Sequence, residues 1–182
     1  MKNNGYARYI LAAAVLLSGL AVLSAPVASY ADDDDRGSRH GASAAGIPEN
    51  AAYKQECSSC HVLYHPGLLP ARSWDAIIGG SSKHFGENLS LDDKTAAELK
   101  AYFNSNSAEH SRARFSHRIL SSLGHGVTPG RITEVPFIQK EHRKVGKVVF
   151  ARPSIKSFSN CGACHPDAAN GDFEEDNVSI PK

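Results

Sequence analysis

Two short stretches of the chain carry two cysteines and a histidine at the same spacing. They are CSSCH at residues 57–61 and CGACH at residues 161–165, and together they hold all four cysteines of the 182-residue chain. Two thiols three positions apart can add to the two vinyl groups on one edge of a haem, and the histidine that follows can bind the iron. The repeated spacing predicts two covalently attached c-type haems with His61 and His165 as proximal ligands. The attaching thiols would be those of Cys57, Cys60, Cys161 and Cys164.

Two other chemistries use similar residues. A Cys-x-x-Cys pair can be a thiol–disulfide site, and cysteines with histidines can bind zinc. A zinc site gathers four ligands in one place, whereas the two motifs here lie 104 residues apart. The repeat therefore favours haem, with a haem-free thiol or zinc protein as the alternative.

Residues 1–31 have the pattern of a secretory signal peptide. Lys2 and Arg8 give a basic start, residues 10–23 are apolar, and Ala31 ends a small-x-small cleavage site. The apolar run is shorter than the roughly 20 residues that a membrane-spanning helix needs. We therefore expect cleavage near Ala31 and a periplasmic protein that does not itself span the membrane.

The remaining composition is that of a small, nearly neutral protein. Lys and Arg total 20 against 19 Asp and Glu, so charge does not indicate a nucleic-acid partner. Residues 32–46 are rich in Asp, Gly, Ser and Ala, which predicts a disordered leader. Hydrophobic residues make up 41% of the chain and aromatic residues only 8%. Two buried haems would supply apolar material that this core otherwise lacks.

The second axial ligand of each iron must come from elsewhere in the chain. Methionine is excluded, because the sole methionine is Met1 and leaves with the signal peptide. The histidines outside the two motifs are His40, His65, His84, His110, His117, His125 and His142. His40 falls in the leader. His65 is only four residues from His61, so we expect it on the surface.

His84 is the best candidate for the first haem. It lies in a glycine-flanked loop before a predicted helix that begins at Leu91, with Ser90 as its N-cap and an apolar face further along. In small cytochromes c the distal ligand comes from a comparable loop. Residues 51–106 therefore resemble a short cytochrome c domain, although His84 could also be an ordinary loop histidine.

For the second haem the ligand must lie upstream, because no histidine or methionine follows His165. Thr133 can cap a short helix that places Ile138, His142 and Val145 on one face. An apolar face with one imidazole suits packing on a haem. His142 is therefore favoured, with His117 as its main competitor; His125, between two glycines, is expected in an exposed turn.

Several further stretches carry a resemblance to a known family. Beside the two motifs they are Pro66–Trp74, His84–Asn88, Arg131–Glu134, His142-Arg143, Phe150–Ser154 and Val178–Pro181. In this combination the chain resembles the dihaem cytochrome c family over residues 57–181.

The resemblance implies two bis-histidine haems, with His84 and His142 at the distal positions. It also implies a mainly α fold with little strand: a small cytochrome-c-like helical domain over residues 47–108, and a less regular second haem-binding domain over residues 109–182.

The implied function is electron transfer rather than enzymatic catalysis. Family members are periplasmic carriers that are thought to pass electrons to a high-spin monohaem cytochrome, the sphaeroides haem protein, often beside a membrane cytochrome b. A dihaem peroxidase is an alternative, but it needs an open haem and is generally much longer. The small dihaem subunit of a periplasmic nitrate reductase is another, but its two motifs lie closer together.

Polar residues around the haems can also be anticipated. Arg72, Arg131 and Arg152 are candidates for pairing with haem propionates, and a carbonyl within residues 66–70 could orient the His61 ring. Residues 131–156 hold seven basic side chains, and residues 167–176 hold five acids and no base. Such asymmetry could steer a redox partner or simply form two solvated faces.

Overall fold

The computed structural model describes residues 46–182, which are mainly helical. The α-helices of this part are α1 (Ala51–Cys57), α2 (Ala71–Gly79), α3 (Asp93–Asn106), α4 (Arg114–Ser122), α5 (Pro136–Glu141) and α6 (Lys147–Phe150). Short 3₁₀ turns lie between and after them, at Pro66–Leu68, Ser81–Lys83, Ile132–Glu134, Cys161–Ala163, Ala168–Asn170 and Glu175–Asn177. These residues contain no β-strand, only an isolated bridge between His84 and Glu87. The expectation of a mainly α fold is confirmed.

The N-terminal predictions fall largely outside the described residues. The signal peptide over residues 1–31, the leader up to residue 45 and His40 all lie there. Among the residues that are described, no helix has the length and apolar character needed to cross a membrane. The domain boundary between residues 108 and 109 stays a prediction.

Helices α1, α2 and α3 pack together around an aromatic core. The predicted apolar face of α3 is buried at Leu99, Tyr102 and Phe103. Trp74 of α2 stacks on Phe103 with ring centroids 4.2 Å apart, and Tyr53 of α1 meets the same ring edge-on at 4.9 Å. This core holds the first motif, because α1 ends at its first cysteine.

The cap of α3 differs from the expectation. Asp92, not Ser90, caps this helix: its carboxylate accepts hydrogen bonds from the Thr95 backbone N–H at 2.9 Å and from the Thr95 hydroxyl at 2.8 Å. Ser90 has a positive φ of 49° and donates its N–H to the side chain of Asn88. The loop therefore runs two residues longer before the helix begins.

Helix α4 packs against the turn that follows the first motif. The Ser116 hydroxyl donates to the Gly67 carbonyl at 2.9 Å, and both residues are buried. A Cβ at Gly67 would collide with the Ser116 hydroxyl and lie 2.7 Å from that of Ser111. Glycine is needed here because the side chains of Ser111 and Ser116 pack directly on its Cα.

The helix before His142 is also shorter than expected. Thr133 lies inside the 3₁₀ turn Ile132–Glu134, and α5 starts at Pro136. The helix ends at Glu141 with His142 as its C-cap, so Val145 falls in the turn beyond and does not extend the predicted face.

Candidate haem sites

The first motif begins on α1 and leaves it in a turn. Cys57 ends the helix, while Cys60 is exposed and His61 half-buried beyond it. Burial, with the charges of Glu56 and Cys60, raises the pKa of the Cys57 thiol to about 11. Burial likewise raises the pKa of Cys161 to about 11. A thiol–disulfide site has one thiol with a lowered pKa, and neither Cys57 nor Cys161 shows a shift in that direction.

The His61 ring is oriented by its own neighbour. Its Nδ1 donates to the Val62 carbonyl at 2.6 Å, and the ring stacks on Tyr64 with centroids 4.8 Å apart. A carbonyl from residues 66–70 was expected to orient this ring, but His61 Nδ1 bonds to Val62 instead. The Pro66 carbonyl accepts a hydrogen bond from Trp74 Nε1 at 2.7 Å. A bond at Nδ1 leaves Nε2 available as a metal ligand.

His84 lies beside His61 in the loop between α2 and α3. The two ring centroids are 6.4 Å apart and the ring planes differ by 31°. The loop is held by a backbone bond from Glu87 N–H to the His84 carbonyl at 3.0 Å, and it turns at Gly86 with φ 108°. Burial lowers the pKa of His84, as do the charges of His61 and Arg131. The neutral imidazole that a metal needs is therefore favoured.

The second motif forms a 3₁₀ turn followed by His165. The ring centroids of His165 and His142 are 6.0 Å apart, with planes at 67°. His142 Nδ1 donates to the Ile138 carbonyl of α5 at 2.8 Å, which again leaves Nε2 available. Burial and the neighbouring His142 lower the pKa of His165.

The ring spacing of both histidine pairs is compatible with one iron between the two rings. Two imidazoles on opposite sides of one metal have ring centres about 6 Å apart, since each metal–nitrogen bond is about 2 Å and each ring nitrogen lies about 1 Å from its ring centre. The observed 6.4 and 6.0 Å agree with this value. All four motif thiols are free, so the residues present fit a covalent haem in each place.

The remaining histidines lie elsewhere. His110, His117 and His125 are exposed, His125 in a turn as expected. The expectation of a surface His65 is wrong: it is only 2% exposed. Its Nδ1 accepts from the Gly67 N–H at 2.9 Å and so caps the turn Pro66–Leu68, which carries the ring into the interior.

The three candidate arginines differ in their partners. Arg72 donates to the Val127 carbonyl at 2.7 Å, and Arg152 donates to that of Pro181 at 2.7 Å. Arg131 places its guanidinium 3.9 Å above the Phe85 ring, next to His84. Their pairing with propionates stays a prediction; of the three, Arg131 is the one whose charge acts on His84.

Sequence reasoning missed the aromatic residues around the histidines. Phe158 meets the His142 ring at 5.1 Å and Phe173 meets that of His165 at 5.5 Å. With Phe150 and Lys147, His142 and Phe158 line an open hollow of about 300 Å³. The sequence feature that could have indicated these contacts is the number of phenylalanines after residue 149, in a segment with little regular secondary structure.

Comparison with known proteins identifies this arrangement. The model of the dihaem cytochrome c family matches residues 53–173. The chain belongs to this family. A comparison with curated proteins finds no match.

Solved dihaem cytochromes c have the same fold. The chain is similar to the diheme cytochrome c from Rhodobacter sphaeroides at 36% identity and a TM-score of 0.62, covering 71% of this chain and all of that one. It is also similar to that from Shewanella baltica OS155 at 36% identity and a TM-score of 0.60, covering 74% and 95% of the two chains.

Membership of the family accounts for the two repeated motifs. As a dihaem cytochrome c, the chain carries two c-type haems, and its two motifs account for both. The predicted family is confirmed, and the haem-free thiol or zinc protein is not supported. Members of this family are electron-transfer cytochromes.

Proposed function

We propose that the protein is a periplasmic electron carrier in which each haem has two histidine ligands. The observation that carries this proposal is the pairing of His84 with His61 and of His142 with His165 at one-iron spacing. Each haem, when bound, supplies an iron that alternates between ferric and ferrous. The side chains of the protein bind this haem and orient its ligands.

The four imidazoles differ in how they are held. His61 and His142 donate Nδ1 to backbone carbonyls, of Val62 and Ile138, which favours the tautomer with Nε2 free for iron. A haem held by two histidines of the chain would have no open position for a substrate, which favours a carrier over a peroxidase. Oxidation and reduction then require little movement of the ligands.

The partners we propose are other redox proteins, a high-spin monohaem cytochrome and a membrane cytochrome b. A basic segment supports docking near the second haem. Residues 140–147 hold four exposed basic side chains around His142, and the acid Glu141 among them lies 3.8 Å from Arg118. Unbalanced positive charge of this kind attracts an acidic partner surface.

Ferric spectra of ligand variants test the ligation. Wild-type protein should show two low-spin haems, and His84→Ala and His142→Ala should each convert one of them to high spin. His117→Ala is the control for the competing ligand and should leave both unchanged. A high-spin haem in the wild type, or two low-spin haems in either ligand variant, would contradict the assignment.

Export is tested separately. We propose cleavage near Ala31, so the protein recovered from the periplasm should begin at Asp32. Recovery of a full-length, membrane-bound chain would refute this part and leave the ligation untouched.

A further inference from the structure

Tyr64 touches both haem-bearing segments. It lies three residues after His61, and its ring stacks on that imidazole with centroids 4.8 Å apart and planes at 29°. Its hydroxyl donates to the carbonyl of Ser159 at 2.8 Å, across 95 residues of chain. Ser159 lies two residues before Cys161, so one side chain joins the two motifs.

A second contact runs alongside this bond. A Cβ placed on Gly162, between the cysteines of the second motif, would lie 3.4 Å from Cγ1 of Val62. The same Val62 offers its carbonyl to His61. The chain just after the first motif thus packs directly on the backbone of the second.

Both ends of the Tyr64 link are anchored. The Tyr64 carbonyl accepts from the hydroxyl of Tyr53, which lies in the aromatic core and is 2% exposed. On the other side, the Asn160 side chain donates to the carbonyl of Ile155, which is 1% exposed. A side chain held between two fixed backbones can set the distance between them.

We propose that Tyr64 is a positioning residue that holds the second motif against the first and so sets the placement of the two haems. This rests on the proposed function as a two-haem carrier. The ring contact with His61 and the hydroxyl bond to Ser159 are separable, because Tyr64→Phe removes only the bond.

Hydrogen–deuterium exchange of the haem-loaded protein tests the bond. Loss of one hydrogen bond of this kind should raise exchange in peptides over residues 157–165 roughly two- to tenfold in Tyr64→Phe. Tyr102→Phe is the matched control, since it loses a similar bond from a tyrosine hydroxyl to the Pro48 carbonyl at 2.6 Å. In this control residues 157–165 should exchange as in the wild type. Wild-type exchange in Tyr64→Phe, or equal loosening in the control, would overturn the proposal.

A second variant tests the ring contact. Tyr64→Leu should shift the reduction potential of the haem on the first motif, whereas Tyr64→Phe should leave that potential close to the wild-type value. Equal potentials in wild type and Tyr64→Leu would refute this half of the proposal. If the wild-type spectrum shows a high-spin haem, the proposed ligation fails, while the exchange comparison still decides the role of Tyr64.

Discussion

Replacement of Gly67 by alanine is the substitution whose effect the structure defines best. The new methyl group would collide with the Ser116 hydroxyl and lie 2.7 Å from the Ser111 hydroxyl and 2.8 Å from its Cβ. The two serine side chains, or the segment that carries them, must then move away from the turn Pro66–Leu68. The bond from Ser116 to the Gly67 carbonyl would stretch or break.

The magnitude follows from these two effects. Overpacking of a buried site costs about 1–3 kcal/mol, and a lost hydrogen bond adds about 1 kcal/mol. We therefore expect Gly67→Ala to lower the free energy of unfolding by about 2–4 kcal/mol. Urea unfolding of the haem-loaded protein, followed by far-ultraviolet circular dichroism, measures this as a lower midpoint at an unchanged slope.

The matched control is Gly146→Ala. Gly146 has an ordinary φ of −67°, and a Cβ there would lie 3.8 Å from Val148 at the closest. Because Gly146 is the N-cap of α6, where alanine is less favourable than glycine, its effect should stay within about 1 kcal/mol. The double variant Gly67→Ala/Ser116→Ala should lose less free energy of unfolding than the two single variants lose together, because the clash with the Ser116 hydroxyl is removed. A Gly67→Ala protein as stable as the Gly146→Ala control would refute the close-approach argument.

Two further predictions concern charge. Burial raises the pKa of Glu109, but hydrogen bonds, first that from the Ala71 N–H at 2.9 Å, outweigh it and leave the pKa below its ordinary value. The resulting stabilisation is complete above the unfolded pKa of about 4.3 and is lost as pH falls through the lower folded pKa. Glu109→Gln removes this titration. In the variant, the free energy of unfolding should therefore change less with pH over that range of an acid titration. Lys144→Glu should slow oxidation of the reduced protein by anionic hexacyanoferrate(III) about two- to tenfold at low salt. The control Lys94→Glu, on α3, should have a smaller effect on this rate. Equal effects of the two charge reversals, or no dependence of the rate on salt, would contradict steering by the basic segment.

Much of the haem chemistry was accessible from sequence, for identifiable reasons. The spacing of Cys57, Cys60 and His61 is a local covalent requirement that any fold must respect. The apolar face predicted for α3 follows the helical period, and Leu99 and Phe103 on that face are buried.

The errors concern choices that small energies or distant contacts decide. Ser90 and Asp92 are both good N-caps, and the choice between them depends on a loop conformation with positive φ at Ser90. His65 looked like a surface residue because it lies only four residues from His61, but Phe115 of α4, distant in sequence, packs edge-on against its ring at 5.2 Å. The link from Tyr64 to Ser159 leaves no local pattern at all.

That link also constrains the order in which the chain assembles. The stacking of Trp74 on Phe103 joins residues 29 positions apart, whereas the bond from Tyr64 to Ser159 joins residues 95 positions apart. Closing the longer loop carries a larger loss of chain entropy. This contact can form only when nearly the whole chain is available to fold. We therefore expect the N-terminal motif to mature first on its helical base, and the C-terminal motif to dock onto it afterwards.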